Sequence, residues 1–554
     1  MGGFLSHLTP EENVEVLNAT CGPVRGNVYK HNDILVDGYL GIPYAKPPVG
    51  NLRFERPVAA EVWKQPRDCF KYGPVCVQTG GFEEIAGPRP NTPEENGCLT
   101  LNVFAPRAPS SEFKSGRPVM VYIHGGGYEL CGSSDFCAYS LSGTLPLKDV
   151  IVVTINYRLG VFGFLTTGDD VCKGNMGLWD QTLALKWVQK HIHSFGGDPK
   201  CVTVFGQSAG GASTDLLSLS PHSRDLFLRF IPISGSAHCD FAIRTSKNQA
   251  IIFREFAEFH GFSGGDSQAL LDWYKEQSSD TLSNVKKFKK SISGFLTFIP
   301  NLDGDFFPKP LDELRKEAPK KQMMTGVDEY EGLMLAMMNP AFSPPETGLK
   351  LAPEGLYGKD VVSNPEEAQK IFYEKYTEGV DKSDELALKK KLCEAVGDEF
   401  FNVGVLQAAK CATKHGNDVY LYTFAYTNPN GFGMWDGMLP FKAAVHCTEL
   451  RYLLGEGVYS AFEPNEEDLK VLELTTTLFS NFAKYGNPNG KENNSNKWEK
   501  YSLEKPERHF RISYPTCEMR DVYHEGRIQF LEKLDGDSDK YQELVYGKKT
   551  SAKI

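Results

Sequence analysis

Residues 206–210 read Gly206-Gln207-Ser208-Ala209-Gly210, a serine framed by two glycines. A serine hydroxyl attacks a carbonyl only if a base takes its proton and the backbone holds it exposed. A G-x-S-x-G run meets the second condition where it follows a strand and opens a helix, because the serine then stands on a tight turn. Residues 201–205 read as such a strand, and a helix is expected from Ala209 onward. The N-terminus of that helix would favour negative charge developing next to Ser208. Taken alone the run also fits a polar turn, so its partners must decide. His124-Gly125-Gly126-Gly127 lies upstream, after another strand-like run. Acyl transfer needs donors preorganised around an oxyanion. Backbone N–H groups can serve where glycine lets the chain come close. The expected donors are the N–H groups of Gly126, Gly127 and Ala209; a flexible glycine turn is the alternative.

The elements that must position these residues are legible as short apolar runs. Residues 117–123, 149–155 and 201–205 are β-branched and almost continuously apolar, as in a sheet covered on both faces. Between the last two, residues 179–193 carry Leu183, Leu185, Trp187, Val188 and Ile192 at helical spacing. Strand, helix, strand predicts an α/β fold with a mostly parallel sheet. Residues 240–400 are richer in helical patterns, for example residues 384–391, and strand-like text returns at residues 418–425. The chain is read as one domain over residues 21–540 with a helical excursion, an N-terminal segment over 1–20 and a tail over 541–554.

Composition narrows the function classes. The 554 residues are 41% hydrophobic, enough for a large core, and the net charge of −11 argues against a nucleic-acid partner. No run approaches the ~18 apolar residues of a membrane span. The start of the chain lacks the pattern of a signal peptide. Gly2 with Ser6 fits an N-myristoylation pattern, and the last three residues are close to a peroxisomal tripeptide. The 13 cysteines are scattered and form no C-x-x-C pair, so no zinc ribbon is expected.

Longer runs make a specific resemblance. Gly41-Ile42-Pro43-Tyr44-Ala45, Leu101-Asn102-Val103, Asn156-Tyr157-Arg158, Phe195-Gly196-Gly197-Asp198-Pro199 and Asn481-Phe482-Ala483-Lys484 occur in order along residues 20–540. In these the chain resembles the type-B carboxylesterases, the family of cholinesterases and liver-type carboxylesterases. The resemblance implies an α/β-hydrolase fold and a serine esterase with Ser208 as nucleophile. It places the acid in Gly326-Val327-Asp328-Glu329-Tyr330-Glu331-Gly332, at Glu331, with Asp328 and Glu329 as competitors. It places the base in His446-Cys447-Thr448-Glu449, at His446. Such a reaction needs no metal and no cofactor.

Departures from the family pattern carry expectations too. The loop between Cys76 and Cys98 holds no Trp to receive a choline cation, so choline esters are not expected as main substrates. Gly294 and Leu296, with Phe298, stand where the family narrows its acyl pocket, which implies a wider one. Asn96-Gly97-Cys98 removes an acidic partner for Arg53. Cys76 and Cys98 match the first family disulfide; the other bridges lack partners. With no signal peptide visible, this favours a reducing, cytoplasmic compartment, peripheral attachment at Gly2 and a peroxisomal address being the other options, and implies unused sequons at Asn18 and Asn493. Two rival functions remain: acyl transfer to an alcohol or sugar acceptor, and a non-catalytic cholinesterase-like binding or adhesion protein.

Overall fold

The computed structural model describes residues 15–78, 97–491 and 498–548. Gly2, Ser6, Asn96, Asn493 and the C-terminal tripeptide lie outside the described residues. The frame is an eleven-stranded sheet. Its strands are β1 (Asn27–His31), β2 (Ile34–Pro43), β3 (Thr100–Pro106), β4 (Arg117–Ile123), β5 (Ile151–Ile155), β6 (Gly197–Gln207), β7 (Arg229–Ile233), β8 (Gln322–Asp328), β9 (Asp418–Phe424), β10 (His509–Ile512) and β11 (Glu518–Arg520). Their spatial order is β11-β10-β9-β8-β7-β6-β4-β5-β3-β2-β1. From β5 through β10 the neighbours are parallel; at both edges they turn antiparallel.

Both faces of the sheet are buried, as the unbroken apolar runs require. Along β4, Val119, Val121 and Ile123 enter one core while Met120 and Tyr122 enter the other. The first core is covered by helices α1 (Met176–His191) and α2 (Ala209–Leu219), the second by α6 (Glu466–Tyr485). Further helices used below are α3 (Gly332–Met338), α4 (Glu385–Gly397), α5 (Val403–Lys414), α7 (Gln529–Gly536) and α8 (Asp539–Tyr546). Among the described residues no helix is long and apolar enough to cross a membrane.

Differences from the sequence reading have local causes. The strand expected at 149 starts at Ile151, because Asp149 takes a left-handed conformation (φ 59°) that closes the preceding turn. β6 begins four residues early, at Gly197, and its register against β4 slips between Arg117 and Val119. That bulge accommodates Pro199, which has no N–H to give a ladder. The helical excursion is in two parts, on either side of β8. The expected boundary at residues 20 and 21 falls in the turn between strands Leu17–Ala19 and Gly22–Arg25, and the one at residues 540 and 541 falls within α8.

The loop after β5 is locked to α1 by an ion pair. Arg158 gives its backbone N–H, Nε and Nη2 to the Asp180 carboxylate at 3.0, 2.8 and 2.7 Å. The two side chains are 3% and 0% exposed. Removing one partner of such a pair strands the other charge, typically at about 3–5 kcal/mol. Asp180→Ala should therefore lower unfolding stability by roughly that amount, read by urea titration; a loss within error of zero would contradict the assigned role.

Candidate active site

The carboxyl ends of the parallel strands gather the candidate residues, the usual place for ligands on such sheets. Ser208 follows β6 directly, with φ 60° and ψ −125°, a region that residues with a side chain seldom occupy. Its N–H donates to the Ile233 carbonyl at 2.9 Å, and its own carbonyl accepts from Ala212 N–H at 2.9 Å. The turn is tight enough to demand glycine. A Cβ on Gly210 would lie 2.1 Å from the Ile123 carbonyl oxygen, and one on Gly206 would lie 2.4 Å from that of Gly210. Ala209 opens α2, so its N–H has no acceptor within the helix. Ser208 itself is only partly buried, whereas its neighbours Gln207 and Ala209 are fully so.

The glycine loop follows β4. Gly126 and Gly127 have φ of 92° and 62°, and the Gly126 carbonyl accepts from Glu129 and Leu130 N–H at 3.0 and 3.1 Å. The N–H groups of Gly126 and Gly127 enter no backbone hydrogen bond among the described loops and turns. His124 stacks on Tyr157, centroids 4.4 Å apart, and shapes the loop from below. Glu129 was not anticipated. Its buried carboxyl takes backbone N–H groups of Phe298 and Thr297, tying this loop to the 294–298 segment; burial pushes it up to about 7.

Glu331 and His446 come together. His446 Nδ1 lies 2.6 Å from Glu331 Oε2. The other carboxylate oxygen accepts from Ser234 Oγ at 2.5 Å and from Asp328 N–H at 2.7 Å. Glu331 is thus fully engaged and 1% exposed. The competitors point elsewhere: Glu329 pairs with Arg511 at 3.1 Å, and the Asp328 carboxyl interacts with Glu449. The imidazole stacks on Phe401 at 4.2 Å. The Gln207 amide approaches Nε2 at 3.1 Å, and His446 and Ser208 line one cavity. Ser234 could have been noticed, since Ser234-Gly235 follows a strand just as Ser208 does. Phe401 carried no signal of its own, and Glu449 appeared only as the end of the motif that names His446.

These groups face one cavity of about 280 Å³, whose polar side is Ser208, His446 and Gly125–Gly127 and whose walls include Phe241, Phe295, Leu296, Leu335, Met338 and Phe401. Leu296 is where the sequence reading put it; Gly294 and Phe298 are not. Phe298 is fully buried, stacked on Phe253 at 5.1 Å with Phe256 at its edge. Gly294 turns (φ 105°) toward Arg244 and Asp240. The segment is an irregular turn, so its side chains follow no fixed alternation, and Phe295 takes the wall position.

Elsewhere, Cys76 and Cys98 form a disulfide. Arg53 gives Nη1 to the carbonyls of Lys275 and Gln277 at 3.2 and 2.6 Å and lies over Phe162. Metal-type donors meet among the described residues at Asp312, Cys411 and His415, within 4.8 Å of one another. They do not line the cavity, and the Asp312 carboxylate already takes His415 and Lys414.

The profile of the carboxylesterase family matches residues 13–531. Esterase cest-33 of Caenorhabditis elegans is 83% identical over the full length of both chains. Liver carboxylesterase 1 of Oryctolagus cuniculus is 33% identical over 82% of each chain. The cholinesterase of Mus musculus is 29% identical over 94% of this chain and 88% of its own. The sheet with its helices on both faces is that of the α/β-hydrolases, and the chain belongs to the carboxylesterase family, a family of carboxylic ester hydrolases.

Proposed function

We propose that this chain hydrolyses carboxylic esters through an acyl-enzyme on Ser208, with His446 as general base and acid and Glu331 as its orienting partner. The observation that carries the reading is the 2.6 Å contact of Glu331 with His446 Nδ1. It keeps the proton on Nδ1 and leaves Nε2 as the basic nitrogen of a ring that lines the same cavity as Ser208. Nε2 takes the Ser208 proton as Oγ attacks the ester carbonyl. Charge on that oxygen falls to the N–H groups of Gly126, Gly127 and Ala209. His446 returns the proton to the departing alcohol, and water repeats the sequence to release the acid. The wall of Phe241, Leu296, Leu335 and Met338 suits an apolar acyl group, and the wide-pocket reading rests on these residues instead of Gly294 and Phe298.

The buried carboxyls behind Glu331 support the same assignment. Burial, with Glu449 and Glu331 nearby, pushes the Asp328 carboxyl well above the usual range. Burial raises Glu449 beside it as well, while Glu331 holds His446 Nδ1. A carboxyl raised on folding contributes stability that is full below about pH 4 and is lost as pH rises toward the folded value.

Two outcomes follow. A fluorophosphonate should label one residue per chain, Ser208, and Ser208→Ala should lose label and roughly six orders of magnitude of ester turnover with its thermal unfolding unchanged. Turnover retained in that variant would sink the assignment. Asp328→Asn, which lacks the titration, should gain stability over the parent as pH rises above about 4. A stability difference that is flat with pH, read by thermal unfolding, would mean that Asp328 is ionised throughout.

A further inference from the structure

Phe401, the ring on His446, and Phe400, stacked on the cavity wall residue Phe295 at 4.6 Å, sit on one π-helical turn, Asp398–Asn402, between α4 and α5. Such turns are rare and must be held by their surroundings. Asp398 is held by charge: Arg527 Nε donates to it at 2.7 Å, and Tyr376 and Asn402 donate at 2.8 and 2.7 Å.

Glu399 is held differently. Its Oε2 lies 2.8 Å from the Tyr357 hydroxyl, and the same hydroxyl lies 2.9 Å from Asp535 Oδ1 on α7. A phenol has one hydrogen and can give it to one carboxylate only. The second carboxyl stays at hydrogen-bond distance if it brings a hydrogen of its own. Three oxygens here need two protons, one phenolic and one carboxylic. We propose that Glu399, Tyr357 and Asp535 form a proton-held clasp that ties helix α7 to the turn bearing Phe401, and that they are positioning residues for His446. The positioning role rests on the reading of His446 as the base.

The surrounding charges set when the clasp holds. Burial pushes the Asp535 carboxyl up to about 7 and Glu399 well above the carboxylate range. Asp240 adds to both shifts and Glu532 to that of Asp535, while Lys540 opposes them. Lys540 is committed to Asp240, and Glu532 to Lys410 at 2.6 Å. His238, beside the clasp in the same small cavity, is lowered to about 4 by burial and stays neutral. The sign follows from the raised values. The proton is present on the acid side, leaves as pH rises through neutrality, and leaves two carboxylates facing one hydroxyl. The Phe400–Phe401 turn then loses its tether to α7, and the imidazole its fixed ring.

The test uses the full chain, with kcat and KM for a p-nitrophenyl ester and amide hydrogen exchange of residues 529–546, from about pH 6 to about pH 9. The parent should lose kcat several-fold on the alkaline side, KM little changed, with faster exchange in α7. Asp535→Asn gives the Tyr357 oxygen an N–H at every pH and leaves the phenolic hydrogen to Glu399, so it should keep both kcat and the protection of α7 amides there. Tyr357→Phe should exchange fast at all pH. Identical alkaline behaviour of the parent and Asp535→Asn in exchange would overturn the clasp. Exchange that responds while kcat does not would overturn the positioning role. Loss of Ser208 labelling would instead tell against the esterase reading and leave the exchange comparison standing.

Discussion

Ser208 occupies a backbone conformation that costs on the order of 1–3 kcal/mol for a residue with a side chain. Everything around it serves to hold that cost in place. The ends of β4, β6 and β7 meet there with backbone against backbone: Gly210 on the Ile123 carbonyl, and Gly235 so close that a Cβ would lie 2.2 Å from the Ser208 carbonyl oxygen. No side chain fits between them. The strain is small against what fixes it. Every residue of α2 is buried, and each fully buried aliphatic side chain such as Leu216 or Leu217 is worth about 1.5–3 kcal/mol. The helix cannot slide without exposing them, so the serine stays presented and the N–H of Ala209 stays aimed.

Around this turn the molecule handles buried acids in three ways. Asp180 and Asp215 are met by arginines, Arg158 and Arg315, and serve the frame. Asp328 and Glu449 keep a proton between them, as do Glu399 and Asp535 with Tyr357. Glu331 alone is satisfied by a serine hydroxyl, a backbone N–H and an imidazole. Those donors occupy both of its oxygens, while burial raises Asp328 and Glu449 beside it. The carboxylate is directed at His446, and the apolar stack of Phe401 on the ring leaves the imidazole little freedom to turn away.

The strand–turn–helix at Ser208 was readable because all of its chemistry lies within a few consecutive residues, glycines included. The same holds for Gly126 and Gly127 after β4. Glu331 and His446 needed the family resemblance, since three acids crowd residues 328–331 and only the fold decides which one meets the ring. Ser234, Phe401 and the Asp328–Glu449 pair were not legible. Each acquires its role from a partner far away in the chain, and nothing in a lone serine, phenylalanine or aspartate announces that partner. The acyl segment failed for a different reason. Residues 294–298 follow neither period 2 nor period 3.6, so counting positions could not separate the wall residue Phe295 from the core residue Phe298.

The most direct test of the central claim is a crystal structure of the chain with a phosphonate bound to Ser208, a tetrahedral mimic of the acyl-transfer intermediate. The account predicts the phosphoryl oxygen within about 2.7–3.1 Å of the N–H groups of Gly126, Gly127 and Ala209, with His446 Nε2 toward the departing oxygen and Nδ1 still on Glu331. A phosphoryl oxygen turned away from those three N–H groups, or an imidazole released from Glu331, would contradict it.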